Sequence, residues 1–279
     1  MMREFENIFI ENAVLVPNDD DAIRERVKFY SIGGERTQSK DGEYYSLELP
    51  KGLFMDEEFQ REVGLAAAKC LKTLFKKYRI RKNQQILAVG VGNEGMTADA
   101  LGAKALKYLD ITEHFYRDGI NMTGKGRLAA IAGSVSGVTG LLSYDIVKGV
   151  TERVKPNLII AIDTLASKRT SRLQRVIQIS DKGITPGSGV NNAKTMLSAE
   201  SLGVPVIAIG VPLVIYARNI VADYMGEAKL SSLTENARTG IRRASDELDG
   251  LVVTVKEIDV TVEDFAKVIG FAINTAVHG

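Results

Sequence analysis

Residues 85–102 read QILAVGVGNEGMTADALG, and the fold turns on this stretch. Ile86 to Val91 is an apolar run too short for a buried helix and suited to a strand covered on both faces. A glycine turn follows, and a carboxylate, Asp99, then arrives at the start of a helical pattern. In α/β proteins that position is the rim of the sheet, where sites are built. The same letters, Gly90-Val91-Gly92-Asn93-Glu94-Gly95, fit the dinucleotide pattern GxGxxG. That pattern needs its glycines at the helix start and an acid about 20 residues later. Here the helix is expected to begin at 97–99, beyond Gly95, and a carboxylate in its first turn repels phosphate. The next strand ends in Gly133-Ser134 with no acid at its tip, and no GxxxxGK[ST] loop occurs. The loop therefore reads as a bend that presents Asp99.

Outward from this stretch, apolar strands alternate with helical patterns. Strands are expected at 86–91, 128–132, 158–162, 176–180 and 204–211, with helices at 99–109 and 139–154. Such alternation implies parallel βαβ crossovers and a sheet covered on both faces. A long helix is expected over 56–79, from Phe59, Val63, Ala67, Leu71 and Leu74. A closing helix is expected over 262–277, with Thr261 as N-cap and Asp264 in the capping-box position. Before these, 26–32 and 43–49 alternate apolar and polar residues around a Gly/Ser/Asp-rich stretch, the pattern of a hairpin. The expected fold class is α/β: one domain over 1–279, with an irregular and β extension over 1–50 and a polar surface insertion over 226–250.

Composition narrows the function classes. The chain has 279 residues, 45% hydrophobic, enough to fill a large core. Its net charge of +1 argues against a dedicated nucleic-acid binder. The lone cysteine, Cys70, lies in a helical apolar pattern and fits a reducing cytoplasm. No apolar run reaches the ~18 residues of a membrane span, and the N-terminus lacks a signal-peptide pattern. Two histidines, His114 and His278, limit histidine triads and metal clusters, and no HExxH or paired-cysteine zinc spacing occurs. In Gly133-Ser134-Val135-Ser136-Gly137, valine stands where a nucleophile elbow needs serine.

Two carboxylates remain. Asp163 closes the run Leu158-Ile159-Ile160-Ala161-Ile162, as Asp99 follows Ile86–Val91. Parallel strands carry their C-terminal ends on one side, so neighbouring strands bring both acids to one crevice. Paired carboxylates share a proton, and one then activates a water while the other donates. The plainer alternatives are that Asp99 stabilises a helix N-terminus and that Asp163 caps a turn. Loop amides are candidate oxyanion or substrate contacts: Gly92 and Asn93 after the first strand, and Gly187, Ser188 and Gly189 in the tight loop 184–192, which reads equally as an ordinary turn. Lys168, Arg169, Arg172 and Arg175 form a basic run that reads as a solvated face or a contact for an acidic partner.

The blocks GVGNEGMTADALG, VKPNLIIAIDTLASKR, IQISDKGITPGSGVNN and LGVPVIAIGVP closely resemble the germination protease family of spore-forming bacteria, from about residue 85 to about 215. The resemblance implies an atypical aspartic endopeptidase that degrades small acid-soluble, DNA-coating spore proteins at germination. It implies catalytic roles for Asp99, in the family's T-P-D-A-L-G motif, and Asp163, in its I-A-I-D-A-L-A motif. It also implies no cofactor, a location in the cytoplasm of the spore core, a zymogen and a homo-oligomer, namely a tetramer. The family is distantly similar to hydrogenase maturation proteases. That kinship implies a three-layer α/β/α fold with a mostly parallel central sheet, and a metal-binding alternative at Asp99 and Asp163. Ala98 replaces the family's proline, and no clear self-cleavage sequence stands in residues 1–25.

Overall fold

The computed structural model describes residues 23–29, 32–39, 42–50, 56–120, 122–186, 196–231, 234, 240, 248 and 250–279. The strands are β1 Ile23–Phe29, β2 Ile32–Ser39, β3 Gly42–Glu48, β4 Gln85–Val91, β5 Arg127–Ser134, β6 Leu158–Ser167, β7 Val176–Ser180, β8 Val206–Tyr216 and β9 Val252–Thr254. The helices are α1 Glu57–Lys77, α2 Leu101–Leu106, α3 Glu113–Arg117, α4 Ser136–Thr139, α5 Ser143–Val154, α6 Ala199–Leu202, α7 Ala217–Ser231 and α8 Ile258–His278.

The strands join one sheet in the order β1-β2-β3-β7-β8-β6-β4-β5, with β9 paired to β8. Its centre, β8-β6-β4-β5, is wholly parallel. The apolar runs predicted this: every residue of β4 is buried, because helices cover both faces. Alternate residues divide between two cores. Ile86, Ala88, Leu158, Ile160 and Ile207 pack under α1, α2 and α8. Leu87, Val89, Ile159, Ala161 and Val206 pack with Val147 of α5 and with Ile184 and Leu197. The result is the expected three-layer α/β/α arrangement. Truncating a fully buried member such as Ile160 to alanine costs about 2–5 kcal/mol.

α1 begins where the sequence places it. The Asp56 side chain accepts from Phe59 N at 2.9 Å, with Glu57 and Glu58 in the first turn and Lys76 and Lys77 in the last, each sign matching the helix dipole.

Several boundaries differ from expectation. The N-terminal hairpin gains a middle strand: β2 pairs antiparallel with both β1 and β3, and its glycines and polar residues are held by two backbone ladders. β7 lies antiparallel between β3 and β8, so it links the parallel core to this meander. The helix expected at 139–154 breaks at Gly140, whose φ is 73°, into α4 and α5. The helix expected at 99–109 divides into a 3-10 turn, Thr97–Asp99, and α2. Thr261 is no N-cap: α8 starts a turn earlier, and the Thr261 hydroxyl donates to Glu257 O at 3.0 Å inside the helix. Within the expected insertion at 226–250, α7 runs through to Ser231, and most later positions lie outside the described residues.

Candidate active site

β4 ends at the C-terminal rim of the parallel sheet, and the chain turns at Gly92. Its φ of 101° belongs to glycine, and a Cβ there would overlap the Asp99 carbonyl oxygen. The Asn93 side chain accepts from Gly95 N at 3.0 Å, which tightens the loop. Asp99 N then donates to Met96 O at 2.7 Å, and Asn93 N donates to Asp99 Oδ2 at 2.8 Å. Gly102 brings α2 against the strand ends, where a Cβ would stand 2.5 Å from Ile162 O. The glycines thus permit close packing around an acid. The amide that a phosphate would seek is taken by Asp99, and so is the amide proposed as an Asn93 oxyanion contact.

Asp163 does not close its strand as expected: β6 continues to Ser167 because its pairing with β8 runs on past the end of β4, and Asp163 lies inside it opposite Gly210 of β8. It is 5% exposed, and its Oδ1 accepts from Thr164 N at 2.8 Å. Burial pushes its carboxyl well above the usual carboxylate range, the Asp99 charge adds to this, and the Thr164 amide opposes it. Asp99 is half-buried. Burial raises its carboxyl too, against the Asn93 amide. The Asp99 charge thus acts on Asp163, and the proton is held more firmly on the enclosed Asp163.

Thr164 escaped the sequence reading. Its hydroxyl oxygen is buried beside Asp163 and has no hydrogen-bond partner among the described residues. The only signal in sequence is a polar residue directly after the acid.

Gly187, Ser188 and Gly189 lie outside the described residues; the base of their loop is closed by mutual backbone bonds of Ile184 and Leu197, at 3.0 and 2.7 Å. His114 stacks on Phe115, and His278 bonds Gly126 N through Nδ1 at 3.1 Å. In the basic run, Arg172 donates to Ser46 at 3.3 Å, joining the β6–β7 connection to β3. Cys70 is fully buried, and burial pushes its thiol up to about 12, which leaves it inert.

The model of the germination protease family matches residues 3–228. The chain belongs to the germination protease family. It is 36% identical to the germination protease of Caldanaerobacter subterraneus subsp. tengcongensis over 91% of this chain and 84% of that one. The germination proteases of Clostridium acetobutylicum and Bacillus subtilis are 35% and 33% identical, each over 88% of this chain and over 81% and 80% of theirs. The protein is accordingly an endopeptidase. Among solved structures, a [NiFe] hydrogenase maturation protease from Thermococcus kodakarensis aligns with 52% of this chain and 80% of its own, at 17% identity and a TM-score of 0.33.

The metal alternative can be tested on the donor set. Among the described residues, no group of three or more His, Cys, Asp or Glu side chains converges. Asp99 and Asp163 supply two carboxylates, short of the three protein ligands usual at a catalytic zinc. Among the described residues the donor set therefore falls short of a catalytic zinc site. No described helix is long and apolar enough to cross a membrane.

Proposed function

We propose that this germination protease starts the breakdown of small acid-soluble, DNA-coating spore proteins in the germinating spore core, with Asp99 and Asp163 as an acid–base pair. The observation that carries the mechanism is a pair of carboxylates on neighbouring elements, Asp99 in the turn after β4 and Asp163 in β6, both raised by burial, with the Asp99 charge raising Asp163 further. Asp99, more exposed and held by the Asn93 amide, is the base. It takes a proton from water as the water oxygen attacks the peptide carbonyl carbon, while Asp163 gives its proton to the carbonyl oxygen. Asp99 then passes its proton to the departing nitrogen, the C–N bond breaks, and Asp163 recovers the hydroxyl proton. Water and a peptide bond yield an acid and an amine with both aspartates restored. We take the working form to be a homo-oligomer, a tetramer as the family resemblance implies.

The test is incubation of the purified protein with a small acid-soluble spore protein in excess chelator. Discrete fragments are expected. Cleavage that appears only after metal is returned would replace this mechanism with a metal-dependent one. Binding without cleavage over long incubation would make the chain a silent relative.

A further inference from the structure

One end of the sheet lies next to β4, whose C-terminal turn carries Asp99. β5 is the sheet's last strand, next to β4. The lower half of the β5 outer edge is closed by Thr112: Thr112 N donates to Leu128 O at 3.0 Å, and Leu128 N donates to Thr112 Oγ1 at 2.9 Å. In a parallel ladder, alternate residues direct both backbone groups to the same side. Leu128 points outward, so Ala130 and Ala132 do as well. Neither has a hydrogen-bond partner on that side among the described residues.

Among the described residues this half of the edge carries no lysine and no proline, and no helix or loop pairs with it. The ladder shifts register at Gly133, placing a bulge where β5 reaches the rim. Past that bulge, Val138, Leu141 and Leu142 are 62%, 56% and 40% exposed, and Met96, in the loop before Asp99, is 54% exposed. Such a concentration of exposed apolar residues marks an interaction site. Unpaired amides and carbonyls in strand geometry recognise one thing well, an extended polypeptide backbone.

We propose that the open half of the β5 edge binds an extended stretch of the substrate polypeptide by strand addition, with its apolar side chains on the Val138–Leu142 segment; this rests on the spore-protein reading above. The occupant is the substrate because β5 lies directly beside β4, whose C-terminal turn carries Asp99. A strand added outside β5 lies two strand spacings, roughly 10 Å, from β4. Extended chain covers that in about three residues, so the edge holds residues a few positions from the scissile bond.

The test uses the full chain carrying Asp163→Asn and a fluorescein-labelled unstructured peptide from a small acid-soluble spore protein. N-methylating one alternate set of peptide amides is expected to weaken binding at least about tenfold, and the other set far less. Ala132→Pro, whose lost N–H faces outward, is expected to weaken the unmodified peptide similarly. Equal affinity for all three peptides overturns the proposal, as does a chain that binds none of them. If Ala132→Pro instead shifts the sedimentation coefficient and leaves peptide affinity intact, the edge belongs to a second copy and the proposal fails. Cleavage by the wild-type chain is scored separately, so its failure sinks the spore-protein reading without deciding these binding outcomes.

Discussion

The charge of Asp99, in the turn after β4, raises the pKa of Asp163 in the neighbouring parallel strand β6. Removing that charge therefore has a definite sign. In Asp99→Asn, Asp163 titrates at lower pH than in the wild type. Infrared or NMR titration of the Asp163 carboxyl checks this, and an unchanged midpoint would mean the two acids are not coupled.

Asp163 also affects stability. Its folded pKa lies above its unfolded value, so its stabilising contribution is complete below the ordinary carboxylate range and is lost as pH rises through the folded pKa. At neutral pH the wild type thus carries a buried acid pressed to ionise. Asp163→Asn is expected to melt higher than wild type at neutral pH, by about 2–4 °C per kcal/mol relieved, with the gap closing in mild acid. Thermal melts across pH decide it; a variant that melts lower at neutral pH contradicts the assignment.

Gly92 positions Asp99 through absence of a side chain. Gly92→Ala forces a Cβ onto the Asp99 carbonyl in a left-handed backbone. We expect a loss on the order of 2 kcal/mol in stability and a larger fractional loss of peptidase rate. Gly149→Ala is the control. It lies in α5 with open space around it, and should stabilise by about 0.5–1 kcal/mol with normal activity. Equal activity in both variants would remove Gly92 from the site.

Asp181 ties the N-terminal meander to the parallel core. Its carboxylate, with a side chain 1% exposed, accepts from Lys77 Nζ at 2.5 Å, Tyr78 OH at 3.0 Å and Glu43 N at 2.8 Å. Asp181→Ala leaves the Tyr78 hydroxyl and the Glu43 amide without this acceptor, and Lys77 with Glu43 alone among the described residues, and is expected to cost about 1–3 kcal/mol. Hydrogen exchange should accelerate in β2 and β3 before it does in β4 and β6. Uniform acceleration across the sheet would mean that Asp181 does not serve as this tie.

Legibility in sequence followed physical cause. β4, β6 and β8 are buried on both faces, so their apolar runs announced them. β2 did not, because Gly33, Gly34 and its polar residues are held by backbone pairing on two sides, which leaves no apolar pattern. The start of α8 was hidden because Thr261 resembles a cap yet bonds within the helix. In the candidate site, the apolar runs placed Asp99 after β4 and Asp163 in the neighbouring strand, but not the continuation of β6 to Ser167, which depends on pairing with β8. The bond from Asn93 N to Asp99 could not, because it exists only once Gly92 adopts its left-handed turn. Thr164 was likewise invisible, as its hydroxyl matters only through enclosure.

The most direct measurement is the rate at which purified Asp99→Asn and Asp163→Asn proteins cleave a small acid-soluble spore protein, each shown to be folded by its melting curve. Loss of an acid or base costs about 10²–10⁴-fold. We predict a loss in that range or greater for each variant. Wild-type cleavage by either folded variant would contradict the paired-aspartate mechanism.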